Sequence, residues 1–212
     1  GVEFKVVVTH ALCLPRLCRP RNHGCWIAAH LPANVNVNLS RIGLKKRGTT
    51  GDMHPFIHAQ KTPDKPAIIV AETGETRTYR QLDAASNQVA QFFRQRGLGH
   101  EDVVAFMLEN TPDYYSLTWG AQRAGLRYVC ISSRLTADET DYILENSGAK
   151  LFVISASLAE AAAKLTTQVE RYALGGSVAG YGILEDALAP MPTTPVADER
   201  AGVDMLYSSG TT

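Results

Sequence analysis

Apolar positions along this chain keep two rhythms, and the rhythms alternate. Unbroken apolar runs at residues 103–108, 128–131 and 151–154 have the character of buried strands covered on both faces. Around them, apolar residues recur every third or fourth place, as the buried face of a helix requires. Leu82, Ala85, Val89, Phe92 and Phe93 form the longest such series. Thr78-x-x-Gln81 supplies a capping box at its start, and Gly97 stands where a left-handed stop belongs. A second helix opens at Asn110-Thr111-Pro112, carries Tyr115 and Trp119 on one face and closes at Gly125. A third starts at the capping box Thr136-x-x-Glu139, passes through Ile143 and Leu144, and stops at Ser147-Gly148. Ser157-x-x-Glu160 predicts a fourth, alanine-rich helix reaching about Tyr172. Strand and helix in alternation with short joins predict an α/β fold, a mainly parallel sheet with flanking helices.

The flanks are read the same way. Residues 53–60 predict a short helix, and residues 67–71 and 76–79 a hairpin turning at Glu72-Thr73-Gly74-Glu75. Residues 173–182 are glycine-rich and predict a flexible connector; residues 183–189 predict a short helix, and Pro190, Pro192 and Pro195 a linker. Residues 203–207 then read as a short buried strand that breaks into Ser208-Ser209-Gly210-Thr211-Thr212. Such a loop can turn successive N–H groups inward to form an anion site, with glycine permitting close approach and hydroxyls adding uncharged donors. It suits nucleotide phosphates, although no Gly-x-x-x-x-Gly-Lys-Ser/Thr loop occurs in the chain. Two blander roles compete with it: an ordinary turn, or helix N-capping by Thr211 and Thr212.

Composition changes this picture little. The 212 residues are 45% hydrophobic and 20% charged, an ordinary globular mixture long enough for a sizeable core. Lysine plus arginine equals aspartate plus glutamate at 21 each, so the overall balance does not point to nucleic acid. The balance hides a split. Residues 1–52 hold eight basic groups against Glu3 and Asp52, leaving 13 basic and 19 acidic groups from Met53 onward. We therefore expect a basic leader, residues 1–52, that is non-native upstream sequence or disordered, and a body, residues 53–212. His10, Cys13, Cys18, His23, Cys25 and His30 in the leader invite a zinc reading, but their spacings are loose beside paired Cys-x2-Cys sites. The body has Cys130 alone, which suits a reducing cytoplasm, and Cys130 in a buried strand reads as an inert apolar residue. No apolar run is long enough for a membrane span.

Three blocks together resemble the adenylate-forming enzymes, which include acyl-CoA synthetases, peptide-synthetase adenylation domains and luciferases. Thr78-Tyr79-Arg80-Gln81-Leu82 with its helix and the strand from Asp102 looks like the first core motif of that family. Residues 122–129, Gln-Arg-Ala-Gly-Leu-Arg-Tyr-Val, continuing through Leu135-Thr136-Ala137-Asp138-Glu139 and Ser147-Gly148-Ala149-Lys150, look like the second. Tyr207-Ser208-Ser209-Gly210-Thr211-Thr212 looks like the opening of the third, the family's phosphate-binding loop. Within the family the chain looks closest to fatty-acid and related carboxylate–CoA ligases. Cys130, Ser132 and Ser133 depart from the Pro and Asn or Asp that many relatives carry there.

The resemblance implies the N-terminal portion of the large domain of an adenylate-forming enzyme, truncated at the phosphate-binding loop. It implies a two-step reaction: a carboxylate attacks the α-phosphate of Mg-ATP to give an acyl-adenylate, and coenzyme A then displaces AMP. It places Ser208, Ser209, Gly210, Thr211 and Thr212 on the β- and γ-phosphates, with ATP, Mg2+, coenzyme A and a small-molecule carboxylic acid as the molecules bound. It assigns no residue to Mg2+ and no catalytic residue to this stretch of chain. The family's later motifs lie beyond Thr212, so the chain by itself is expected to be inactive. The competing expectations are a non-catalytic truncated paralogue that binds nucleotide or merely folds, and an adenylation domain of another kind. Tyr115 and Trp119 are expected in the core, and His54, His58 and His100 at the surface or in caps.

Overall fold

The computed structural model describes Val6–Val7 and residues 54–207. The chain runs β1 (Val6–Val7), α1 (Pro55–Lys61), β2 (Pro66–Val70), β3 (Thr76–Thr78), α2 (Tyr79–Gln95), β4 (Val103–Met107), α3 (Asp113–Arg123) and β5 (Arg127–Cys130). It continues through α4 (Ala137–Ser147), β6 (Ala149–Ser155), α5 (Ala159–Ala162), β7 (Glu170–Leu174), β8 (Gly182–Ile183), α6 (Leu184–Leu188) and β9 (Val203–Met205). Strands β1, β2 and β3 make a small antiparallel sheet. The other six make a parallel sheet in the order β8-β7-β6-β4-β5-β9.

The centre of that sheet is dry. Every residue of β4 is buried, and Leu151, Phe152, Val153 and Ile154 of β6 are fully so. Because side chains alternate along a strand, each of these strands feeds two cores. Val104, Phe106, Leu151 and Val153 meet Phe92, Phe93, Leu117, Ala121 and Leu184 from α2, α3 and α6 on one face. Val103, Ala105, Met107, Phe152 and Ile154 meet Ile143, Leu144, Leu165 and Val178 on the other. Ala67, Ile68 and Leu82 form a third, smaller cluster with Tyr79, Tyr115 and Trp119 against it, so Tyr115 and Trp119, two of the three aromatics of α3, do serve the core.

The predicted caps are present. Thr78 Oγ1 accepts from the Gln81 amide at 3.3 Å while Gln81 Oε1 accepts from the Thr78 amide at 2.8 Å. Thr136 and Glu139 do the same for α4. Gly97 and Gly148 sit at positive φ beyond α2 and α4. His54 caps α1, its Nδ1 accepting from the Phe56 amide at 3.2 Å.

Four expectations are overturned. No long helix follows β6: a 3-10 turn (Ala156–Leu158) and the four residues of α5 give way to β7, which contains Tyr172. The Asp141 carboxylate accepts from the Thr166 and Thr167 amides at 2.8 and 3.1 Å, which draws the chain out of helix, and Tyr172 and Ala173 then point to opposite cores as strand residues. The glycine-rich stretch is only partly a connector, since it contributes β8, and Val178 is buried. The proline-rich stretch is no free linker. Asn87 Nδ2 donates to Thr193 O at 2.8 Å, and Gln88 and Gln91 donate to Met191 O and Thr194 O, with Met191 and Val196 buried beneath. Finally, β9 is an edge strand and not a buried one: Val203 is 55% exposed.

Phe152→Ala is expected to cost about 3–5 kcal/mol in denaturant unfolding, whereas Tyr142→Ala, at a side chain 62% exposed, should cost no more than about 0.5 kcal/mol. His54 gives a pH dependence. Burial, then the nearby positive charge of Arg123, hold its pKa below 6.5, so the folded state favours the neutral ring that can accept from Phe56. A lowered pKa contributes stability that is complete above the unfolded value of about 6.5 and lost as pH falls through the folded one. Stability is therefore expected to drop between pH 7 and 5, and His54→Asn, which keeps a capping acceptor, should remove that part of the slope.

Candidate active site at the carboxyl edge of the parallel sheet

The sheet's strand order creates one crevice. Leaving β4 the chain passes through α3, whose Leu117 and Ala121 lie in one core; leaving β5 it passes through α4, whose Ile143 and Leu144 lie in the other. Neighbouring strands β4 and β5 thus send their helices to opposite faces. In open α/β sheets ligands collect at such a switch point.

Strand β9 lies parallel to β5, with Tyr128 opposite Asp204 and Val129 opposite Met205, so its exit is at the same edge. Its position is set by backbone contacts. Gly202 donates to Gln122 O at 2.6 Å, and Val203 donates to Leu126 O at 3.1 Å. Residue 202 has to be glycine, since a Cβ there would stand 2.2 Å from Leu126 O. Tyr207 then donates to Asn146 Oδ1 at 2.7 Å, tying the outgoing chain to α4. Ser208, Ser209, Gly210, Thr211 and Thr212, the predicted phosphate contacts, follow directly and lie outside the described residues.

The described walls of the crevice are rich in hydroxyls, with charged groups of both signs among them. Ser132, Ser133 and Arg134 form the loop after β5; all three are exposed, and the Arg134 amide donates to Ser132 Oγ. On the other side, Ser157 Oγ donates to Glu109 Oε2 at 2.6 Å and Ser155 Oγ accepts from the Glu109 amide. Tyr114 and Tyr128 flank Cys130. Burial pushes the Tyr128 hydroxyl up to about 12, with the Asp204 charge adding to it, and burial raises Tyr114 as well, so neither serves as a base near neutral pH. Cys130 is exposed as a residue, contrary to the buried strand position expected of it, because it ends β5 at this edge. Enough protein crowds its sulfur that burial raises the thiol pKa, so it is no ready nucleophile. An open cleft of about 450 Å3 adjoins, between Leu135 and Thr136 on one side and Ser157, Leu158 and Lys164 on the other.

The remaining candidates sit elsewhere. His54 caps α1, His58 packs its ring on Tyr79, and His100 Nδ1 lies 3.0 Å from Gly125 O. Among the described residues no group of three or more His, Cys, Asp or Glu is placed to hold a metal ion. The leader's His and Cys cluster lies outside the described residues. Sequence reasoning missed the loop of Ser132, Ser133 and Arg134. Its signal, a short polar break directly after an apolar strand, was present but unremarkable.

A six-stranded parallel sheet covered by helices on both faces, with neighbouring strands β4 and β5 sending their helices to opposite sides, defines an α/β domain of the kind that binds ligands at its carboxyl edge. The AMP-binding enzyme profile matches residues 56–212, and the chain belongs to that adenylate-forming, acyl-CoA-ligase-like family. Long-chain fatty acid transport protein 1 of Mus musculus is 33% identical over 189 residues, covering 81% of this chain and 29% of the relative. The long-chain-fatty-acid–CoA ligase FadD13 of Mycobacterium tuberculosis is 31% identical over 161 residues, 73% of this chain and 31% of the relative. The solved Mycobacterium tuberculosis fatty acyl CoA synthetase superposes with a TM-score of 0.62 at 27% identity, covering 74% of this chain and 32% of that one. The chain thus spans about three-tenths of the length of these relatives.

Gly202→Ala tests the placement of β9. The Val203 amide is expected to exchange with solvent at least about tenfold faster, from an overpacking cost of about 1–3 kcal/mol. Gly99→Ala, where the nearest atom would be 3.9 Å away, should change nothing.

Proposed function

We propose that this chain is the N-terminal part of the catalytic domain of an ATP-dependent carboxylate–CoA ligase, acting on a fatty acid or similar carboxylic acid. In the first step a carboxylate oxygen attacks the α-phosphorus of ATP, the bond to the bridging oxygen breaks, and pyrophosphate leaves. In the second, the thiolate of coenzyme A attacks the acyl carbon and AMP leaves. Ser208, Ser209, Gly210, Thr211 and Thr212 hold the β- and γ-phosphates, their N–H and O–H groups meeting the charge that builds on departing pyrophosphate. Mg2+ accompanies the nucleotide and neutralises part of that charge; no residue of this chain is assigned to it.

The observation that carries this reading is the register of β9 beside β5, which delivers the chain at Tyr207 to the open carboxyl edge next to the switch crevice. The names of the relatives support the acyl and coenzyme A parts. The same proposal includes the division into a basic leader, residues 1–52, and a body, residues 53–212. Of the leader, Val6–Val7 is described, paired with β2. It also includes a cytoplasmic location; among the described residues no helix is long and apolar enough to cross a membrane. The 212-residue chain, spanning three-tenths of its relatives, does not complete adenylation by itself.

Titrating the chain with Mg-ATP and following amide resonances should shift residues 208–212 and the loop at Ser132, Ser133 and Arg134. Ser209→Ala with Thr211→Val should weaken binding on the order of tenfold. Shifts confined to other surfaces would refute the site. Carboxylate-dependent ATP–pyrophosphate exchange is expected to be absent from the 212-residue chain, and turnover would refute its assignment as a part.

A further inference from the structure

Among the described residues, helix α1 is attached to the rest of the body by side-chain packing alone. Every hydrogen bond that residues 54–61 make there stays within residues 54–62: the Phe56 amide donates to His54 Nδ1, the Ile57 amide to His54 O, and the Thr62 amide and hydroxyl to His58 O. Of the seven helical residues only Pro55 is buried. The other attachments are ring contacts. The His54 ring stands edge-on to Trp119 of α3 with centroids 4.8 Å apart, the Phe56 ring centre lies 5.8 Å from the Arg123 guanidinium, and the His58 ring packs on Tyr79 at 4.9 Å. The backbone is tied down just beyond the helix, where the Arg80 amide donates to Pro63 O and the Tyr79 amide to Lys65 O. A helix this short is marginal without packing, so α1 owes its closed position to these rings, and residues 62–65 are the point about which it can swing.

His54 is the contact that responds to conditions. As a neutral ring it accepts from the Phe56 amide and caps the helix; once protonated, both ring nitrogens carry hydrogen and the cap is lost. Its charge then also stands near Arg123, which ends α3 and is 2% exposed. Two carboxylates face the same place, Asp83 of α2 and Glu199 ahead of β9, but Arg123 engages both, through Nη1 at 2.7 Å and Nε at 2.5 Å. They do not reverse the balance: burial, then Arg123, hold the His54 pKa below its ordinary value of 6.5.

We propose that α1 is a pH-sensitive flap: it opens as a unit about residues 62–65, and protonation of His54 favours the open position, withdrawing cover from Trp119 and Arg123. A pKa lowered by closure supports closure fully above about 6.5, the value of a free histidine, and that support is lost as pH falls through the closed-state value. One proton changes the open-to-closed ratio by at most about tenfold per pH unit. The response therefore belongs to one element and is separable from unfolding of the sheet.

Native-state hydrogen exchange tests this, read as protection of the Ile57 and Thr62 amides against the core amides of Phe106 and Leu151 at pH 7 and 5, with urea up to about 1 M. Ile57 and Thr62 are expected to be the less protected pair, to lose protection several-fold on going to pH 5, and to ignore low urea, which marks a local opening; Phe106 and Leu151 should respond to urea. His54→Asn, which keeps a capping acceptor, should abolish the pH response at Ile57 and Thr62, while His58→Asn should leave it in place. Protection at α1 that does not change with pH overturns the proposal. So do α1 amides that follow urea as Phe106 does, since α1 then opens only with the whole fold, and so does a pH response that survives His54→Asn. If His54→Asn does not fold, the ring resonances of His54 in the unsubstituted chain decide: their titration midpoint has to coincide with that of the α1 response, and a different midpoint sinks the idea.

Discussion

Strands β4 and β6 lie side by side with apolar side chains on both faces, and this is the constraint from which the architecture follows. A strand with Val104 and Phe106 on one face and Val103, Ala105 and Met107 on the other cannot present either face to water. Helices must cover both. The chain meets that demand by sending α2, α3 and α6 to one side and α4 with the segment around Leu165 and Val178 to the other. Parallel pairing follows, because the crossings from β4 to β5 and from β5 to β6 each pass through a covering helix.

That solution leaves the carboxyl edge unprotected. Where consecutive helices depart to opposite faces, no element closes the space above the strand ends, and loops alone line it. The loops here are short and polar: Ser132, Ser133 and Arg134 after β5, and Ser155 and Ser157 meeting Glu109 after β6 and β4. Burial keeps the Tyr128 and Tyr114 hydroxyls protonated, so this edge presents a wall of hydroxyl groups with the Arg134 guanidinium and with the Glu109 carboxylate, which accepts from Ser157. Such a wall can bind and orient; proton transfer would have to come from groups elsewhere.

Elements whose signals are local were legible in the sequence. A capping box involves two residues three apart, and both Thr78 with Gln81 and Thr136 with Glu139 form as read. The strand at β4 was visible because an unbroken apolar run has few other uses. What failed was decided by distant partners. Ser157 looked like a helix cap, yet its hydroxyl serves Glu109, 48 residues away, and Asp141 claims the amides of Thr166 and Thr167. The prolines near residue 190 looked like a linker, yet Asn87, Gln88 and Gln91 on α2 pin the backbone there. Val203 looked buried because it is apolar, but position in a sheet is a property of strand order, which no local pattern carries. The segment 208–212 suggests phosphate binding through its residue types alone, and it lies outside the described residues.

Arg123 is the hardest of these to read from sequence, and its burial is best understood by what it costs. Removing a guanidinium from water consumes much of the Coulomb energy that its contacts with the partly exposed Asp83 and Glu199 carboxylates return, so such a pair is a poor way to gain stability. An apolar side chain at the same place would pack α2 on α3 equally well. It could not, however, distinguish one register of the strap from another, because hydrophobic contact is non-directional. The fork of an arginine is directional, and here its Nη1 and Nε reach Asp83 on α2 and Glu199 in the segment before β9. In the three-residue edge strand β9 that directional contact adds to the backbone ladder on β5 and to Met205 packed against the core, because a slip of one residue would turn every side chain over.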